Sequence, residues 1–172
     1  MFEPDPPVPD PFEEFARARA PHLYRAAWLL CGHRAEAEDL VQETLAKVYV
    51  RMHRRRGPRL DNPAAYAQTV LTRTFISARR RASSTEVPYA DLPGLDTAGA
   101  DGGADHAGTT DLRLALTEAL ADLAPVDRAV VVLRHLDGLS VEEVAHALGL
   151  TSGAVRNRSM RALARMRKEA LR

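Results

Sequence analysis

A chain of 172 residues with 24 Lys and Arg against 23 Asp and Glu has room for one domain or two small ones, and its near-zero total excludes a uniformly basic or acidic coat. The single Cys31 excludes an internal disulfide and suits a reducing compartment. No apolar run approaches the length of a membrane span, and the start, MFEPDPPVPDP, lacks the charged-then-apolar order of a signal sequence. Residues 1–11 are therefore expected to be a disordered tail on a soluble, cytoplasmic protein.

Helical periodicity begins at Phe12 and Phe15. Pro21 is expected to break or bend it, leaving His22–Cys31 as a second helical piece closed by Gly32. The spacing then predicts a long amphipathic helix over Ala35–Met52, with Leu40, Val41, Leu45, Val48 and Met52 inward. A basic loop follows, carrying Arg54, Arg55, Arg56 and Arg59. Asp61 or Asn62 caps the next helix, Pro63 takes its favoured first position, and the helix runs to about Arg81. Together these elements predict a first domain over 12–82, with Trp28 near the centre of its core. Residues 51–81 hold nine Arg and one acid, whereas 82–110 hold five acids and no Lys or Arg. A neutral total thus conceals two basic surfaces and an acidic connector.

Residues 83–110 show no sustained period and read as a flexible linker, with Val87, Tyr89, Leu92 and Leu95 as its only large apolar side chains. A connector of this length lets the two halves tumble independently in solution. A second domain is expected over 111–172, beginning with LRLALTEALADL as a helix and another opened by Pro125 that ends near Leu136. No β pattern or internal repeat competes, so the fold class is all-α: two small helical domains on a flexible acidic linker.

The segment SVEEVAHALGLTSGAVRNRSMRALAR, residues 140–165, is the most specific part of the chain. Ser140 and Glu143 form a capping box, and Val141, Val144, Ala145 and Leu148 share one face. Gly149 supplies the turn, Thr151 or Ser152 caps the next helix, and Val155, Leu163 and Met166 extend the apolar stripe. From Thr151 to Arg172 there are seven basic residues and one acid. A solvated amphipathic hairpin shares that charge, but cap, turn glycine, small Ala145 and charge asymmetry together point to a helix-turn-helix. Such a motif carries the start of its second helix into the major groove, which is where Arg156, Asn157 and Arg161 lie.

Asp39-Leu40-Val41-Gln42-Glu43-Thr44, after a Trp-bearing helix and before an arginine-rich loop, is one half of a family pattern. Leu133-Arg134-His135-Leu136-Asp137-Gly138-Leu139-Ser140, leading into Glu142-Glu143-Val144-Ala145, is the other. In this order and separation the chain resembles a bacterial RNA polymerase sigma factor of the extracytoplasmic-function group, within it the actinobacterial SigE-like family. The resemblance implies binding of core RNA polymerase and promoter-specific initiation, with Asp39, Gln42 and Glu43 on the polymerase clamp. It implies −10 recognition by Arg54, Arg55, Arg56, Arg59, Tyr66, Arg73, Ser77 and Arg80, with Arg79 and Arg81 free to follow the DNA backbone. Tyr66 stands where a Trp is usual, and Arg73 and Ser77 where Asn and Asp are, so no −10 base preference carries over. It aligns Arg156, Asn157, Met160 and Arg161 with the −35 readers, while Arg134, Ser152, Gly153 and Arg158 suit phosphate. Arg165 and Arg167 fall off that face or farther along the helix.

The partners implied are core polymerase and promoter DNA, with room for an anti-sigma factor and no small-molecule substrate or membrane insertion. No cofactor, metal-ligand spacing, nucleophile elbow or phosphate loop is found, so no enzyme is expected. The alternative is a helix-turn-helix regulator acting independently of core polymerase.

Overall fold

The computed structural model describes residues 10–54, 59–84 and 107–170, all helix and turn with no strand among them. Seven α-helices follow in order: α1 (Pro11–Cys31), α2 (Arg34–Met52), α3 (Pro63–Ser84), α4 (Ala107–Ala121), α5 (Pro125–Val131), α6 (Val141–Leu148) and α7 (Ser152–Ala170). A π-helical turn, Val132–Leu136, continues α5. The ends of the expected linker are helical, since α3 runs to Ser84 and α4 begins at Ala107; Arg55, Arg56 and the linker's acids (Glu86, Asp91, Asp96, Asp101, Asp105) lie outside the described residues, as does its apolar set from Val87 to Leu95.

Local chemistry accounts for the ends. Asp10 accepts a hydrogen bond from the Phe12 amide at 2.9 Å and starts α1, with Pro11 at the first position. Gly32 ends that helix at φ 87°, a left-handed conformation that favours glycine. Asn62, rather than Asp61, caps α3 through the Ala65 amide at 3.0 Å.

α1 runs through Pro21 as one 21-residue helix. The expected break fails because Pro21 is exposed, so the helix bond it removes frees a carbonyl that water can satisfy. Trp28 also departs from expectation. The centre of the first unit is Leu23, Ala26, Ala27 and Leu30 of α1 with Leu71 and Phe75 of α3, while Trp28 is only partly buried beside Tyr24. Ala26 and Ala27 are fully buried within that core, and the Trp28 side chain packs at its margin.

The larger surprise is the relation of the two halves. One buried cluster joins Leu23, Leu30, Leu71 and Phe75 of the first unit to Leu120, Leu123, Ala129 and Val132 of the second. The expected independence of the two halves is replaced here by a shared core. A smaller cluster (Val130, Leu133, Val144, Ala145, Ala147 and Val155) packs the two helices of the helix-turn-helix against α5 and its π-helical turn.

Candidate promoter and polymerase interfaces

The helix-turn-helix forms as its sequence dictates. The Ser140 hydroxyl accepts from the Glu143 amide at 3.1 Å, and the Glu143 carboxylate accepts from the Ser140 amide at 2.7 Å. These bonds hold Glu143 below the usual carboxylate range. Gly149 turns the chain at φ 67°, and the Thr151 hydroxyl accepts from the Ala154 amide at 3.1 Å to start α7.

Val155 and Ala162 then face inward, fully and nearly fully buried. Their burial turns Arg156, Asn157, Met160 and Arg161 to solvent as one contiguous face. Met160, at 64 % exposure, is a large apolar side chain left uncovered in the middle of it. Ser152 and Gly153 occupy the first positions of α7, where helix geometry leaves amide groups without intrahelical acceptors.

A concavity of ≈ 320 Å³ gathers Arg134, Arg156, Met160 and Arg167. Arg167, expected off the reading face, thus joins three residues that were expected on the DNA. Helix twist explains it: Arg156, Met160, Leu163 and Arg167 follow at spacings of four, three and four. Two of the expected phosphate ligands are already occupied. Arg134 donates to the Leu139 carbonyl, and Arg158 pairs with Asp127 of α5 at 2.6 Å, tying α7 to α5.

In the first unit, burial of Ala37, Leu40, Val41, Thr44 and Val48 leaves Asp39, Gln42, Glu43, Ala46 and Val50 exposed along one side of α2. Glu43 is 2.7 Å from Lys47, which also donates to the Thr74 hydroxyl at 2.9 Å. Val50 is 62 % exposed and was not singled out from the sequence, although the same helical periodicity that selects Asp39 and Glu43 leads to it. A concavity of ≈ 390 Å³ lies at the end of this face, lined by Val50, Arg51, Arg54 and Tyr66. The structure thus brings Arg54 and Tyr66 together. Tyr66, Arg73, Ser77 and Arg80 recur at spacings of seven, four and three along α3, and Arg73, Ser77 and Arg80 are exposed there. Arg59 is exposed just ahead of the helix.

Arg79 does not follow that row. It pairs with Glu36 of α2, donates to the Cys31 carbonyl at 3.5 Å, and lies against the Phe75 ring. Arg128 sits on the same ring, is 8 % exposed, and donates to the carbonyls of Leu30, Ala121 and Leu123. Burial and then the nearby Arg79 push its pKa down from the ordinary guanidinium value. Nothing in the periodicity singled out Arg128. The only available signal was an arginine inside an otherwise apolar stretch, PVDRAVVV.

Two regions of the chain match family models: residues 15–85 match sigma-70 region 2, and residues 113–166 match sigma-70 region 4. The RNA polymerase sigma-E factor of Streptomyces coelicolor is 39% identical over 158 residues, covering 92% of this chain and 85% of that protein. The extracytoplasmic-function sigma factor SigL of Mycobacterium tuberculosis is 32% identical over 148 residues, covering 79% and 75%. The chain belongs to the extracytoplasmic-function group of RNA polymerase sigma factors.

Solved sigma factors share the fold. RpoE of Bartonella quintana, in complex with the anti-sigma factor NepR, superposes with a TM-score of 0.70 at 24% identity, covering 92% of this chain and 96% of that one. SigJ of Mycobacterium tuberculosis gives 0.59 at 29% identity, covering 89% and 52%. As a sigma factor the protein binds core RNA polymerase and directs promoter-specific transcription initiation. No helix among the described residues is long and apolar enough to cross a membrane, and no group of His, Cys, Asp and Glu among them could hold a metal.

Proposed function

We propose that residues 12–82 form the unit that docks on core polymerase and opens the −10 element, that 111–172 form the unit that reads the −35 duplex, and that 83–110 link them. The observation that carries this reading is the exposed Arg156, Asn157, Met160 and Arg161 face beside a capped, glycine-turned helix pair. Arginine pairs bidentately with guanine and asparagine with adenine on the major-groove edge. Ser152 and Gly153 supply phosphate contacts around it, and Arg134 adds one through the guanidinium N–H groups that its bond to the Leu139 carbonyl leaves over. Arg158 joins them by exchanging Asp127 for a phosphate.

Asp39, Gln42 and Glu43 take the polymerase clamp, and their acceptors suit arginine-rich partner helices. Val50 extends that contact with an apolar edge. Arg54, Arg55, Arg56 and Arg59 draw in the melted strand, Tyr66 offers a ring for a base to stack on, and Arg73, Ser77 and Arg80 follow along α3. The departures at Tyr66, Arg73 and Ser77 leave the −10 preference particular to this chain. The protein carries no catalytic chemistry of its own and works in the cytoplasm with the polymerase. An anti-sigma factor is a candidate partner, since the similar RpoE was solved with one. A regulator acting apart from polymerase is not favoured, because the chain carries both sigma-70 regions.

Run-off transcription with purified core polymerase on a promoter library tests the reading directly. Asp39→Arg with Glu43→Arg is expected to leave helicity intact and weaken core binding at least tenfold, about 1.4 kcal/mol. Unchanged affinity in a fluorescence titration refutes the clamp assignment. Run-off from the same start sites after both Arg156 and Asn157 are replaced by Ala refutes the −35 assignment.

A further inference from the structure

Arg156, Ser159, Met160, Leu163 and Arg167 share one side of α7 and line a single concavity. This stripe does not coincide with the reading face. Asn157 and Arg161 each follow one position after Arg156 and Met160, about 100° further round the helix, so the stripe runs along one flank of that face. Val141 of α6 joins Met160 and Leu163 as an apolar floor, and Arg134 from the π-helical turn stands with Arg156 and Arg167 around it, enclosing ≈ 320 Å³. Arg156 and Arg167 are exposed, whereas Arg134 and Ser159 are half-buried. Arg134 is anchored by its bond to the Leu139 carbonyl, and its remaining N–H groups are left over for a ligand. Glu142 stands 3.9 Å from Arg156 at the edge; both side chains are exposed, where an ion pair contributes little.

We propose that this flank of α7 is a further DNA contact: a groove that takes the sugar-phosphate backbone of one strand, with Arg167 as a phosphate ligand. The inference rests on the −35 reading of Arg156. With the start of α7 in the major groove, the flanks of the helix face the groove walls, and those walls are backbone. Phosphate oxygens accept from guanidinium groups and from the Ser159 hydroxyl, while the apolar floor suits the deoxyribose carbons between phosphates. Arg156 and Arg167 lie eleven residues apart, about 16 Å along the axis, so the groove follows a length of strand rather than one phosphate. Arg165 is also exposed, but it points about 160° away from Arg167 and lies outside the groove.

A contact of this kind fixes the position of the reading face without choosing bases. Its loss therefore lowers affinity by the same factor on every −35 sequence. It also lowers the number of counterions released on binding.

The experiment uses holoenzyme reconstituted from the full-length chain and core polymerase. Fluorescent promoter fragments are taken from the best run-off template and from −35 variants of it, and anisotropy gives affinity across a salt series. Arg167→Ala is expected to weaken binding about threefold to tenfold, equally on all the fragments, and to flatten the slope of log affinity against log salt by about 0.9, the share of one phosphate. Arg167→Lys is expected to keep most of the affinity and the slope, because an ammonium meets phosphate as a point charge. Arg165→Ala is expected to keep the parent's slope. Titration with core polymerase is expected to show unchanged core binding in all three variants.

An unchanged slope in Arg167→Ala, or an equal loss in Arg165→Ala, overturns the groove. So does weakened core binding in Arg167→Ala, which would make the concavity a seat for an acidic segment of the polymerase. A change in which −35 bases are preferred overturns the backbone role and makes Arg167 a base reader. Arg156→Ala keeps the two levels apart: its effect on −35 preference tests the reading face, whatever Arg167 shows.

Discussion

Arg128→Met removes the cation at the junction of α1, α4 and α5 while keeping a side chain of similar length. Two effects oppose each other. Among the described residues no carboxylate is seen paired with the guanidinium: burial and then Arg79 weigh against its charge, Asp122 and Glu36 only partly offset them, and its Nε finds no acceptor. Removing a buried, imperfectly neutralised cation recovers several kcal/mol of lost hydration, about as much as the buried charge cost on folding. Against this stand three charge-assisted bonds, to Leu30, Ala121 and Leu123, each contributing roughly 1.5–3 kcal/mol. The Leu30 and Leu123 bonds are buried, so their carbonyls would be left without water at about 1–3 kcal/mol apiece. The orphaned carbonyls lie at two helix ends whose dipoles the cation also offsets, so loss outweighs recovery. The expected destabilisation is about 3 kcal/mol. With a urea slope of about 2 kcal/mol/M, the midpoint falls by about 1.5 M. Unfolding followed by far-ultraviolet circular dichroism and by Trp28 fluorescence should give coincident transitions, since the two units share one core. A methionine variant as stable as the parent would refute the reasoning, because the carbonyls would then have found other partners at no cost. Separate transitions from the two probes would refute the shared core.

Arg156→Ala is expected to cost roughly 1–3 kcal/mol at the cognate −35 site and to relax one or two positions of it, read by promoter-library selection. Ser140→Ala removes the cap of α6 and is expected to destabilise by about 1 kcal/mol in urea titration, with −35 binding falling in proportion. Burial raises Asp137 above the ordinary carboxylate value, while hydrogen bonds from His22 and Gln68 pull the other way. The folded chain therefore holds this proton more tightly than the unfolded one. The stability it confers is fully present below the unfolded pKa and is lost as pH rises through the folded one. Asp137→Asn is thus expected to gain in stability relative to the parent as pH rises across that window, in paired urea titrations from pH 4 to 7. A flat difference would contradict the burial.

Legibility followed the range of the interactions. The helix-turn-helix could be read in full because its determinants are local: Ser140 meets Glu143, Gly149 turns, and Thr151 caps, all within a dozen residues. The exposed side of α2 was legible for the same reason, and Val50 only continued it. The interior of α1 was not. Pro21 reads as a breaker by propensity, and whether its lost bond matters depends on which side of the helix meets water. Arginines misled in both directions, since a count of basic residues does not separate Arg80, which is exposed, from Arg79 and Arg128, which close helix ends. Nor does an apolar stripe on α4 or α5 state what it covers. Only the fold reveals that its neighbour is the other half of the same chain.

The single thiol has a use in the laboratory. Cys31 sits at the end of α1, where burial and then the Glu36 carboxylate push it up to about 12. Near neutral pH roughly one molecule in a hundred thousand then carries the nucleophilic thiolate. Alkylating reagents therefore reach this thiol slowly while the fold holds. The same inertness makes Cys31 a clock. Its rate of alkylation in native buffer reports how often the junction around Arg79 and Arg128 comes apart, with no label added to the chain.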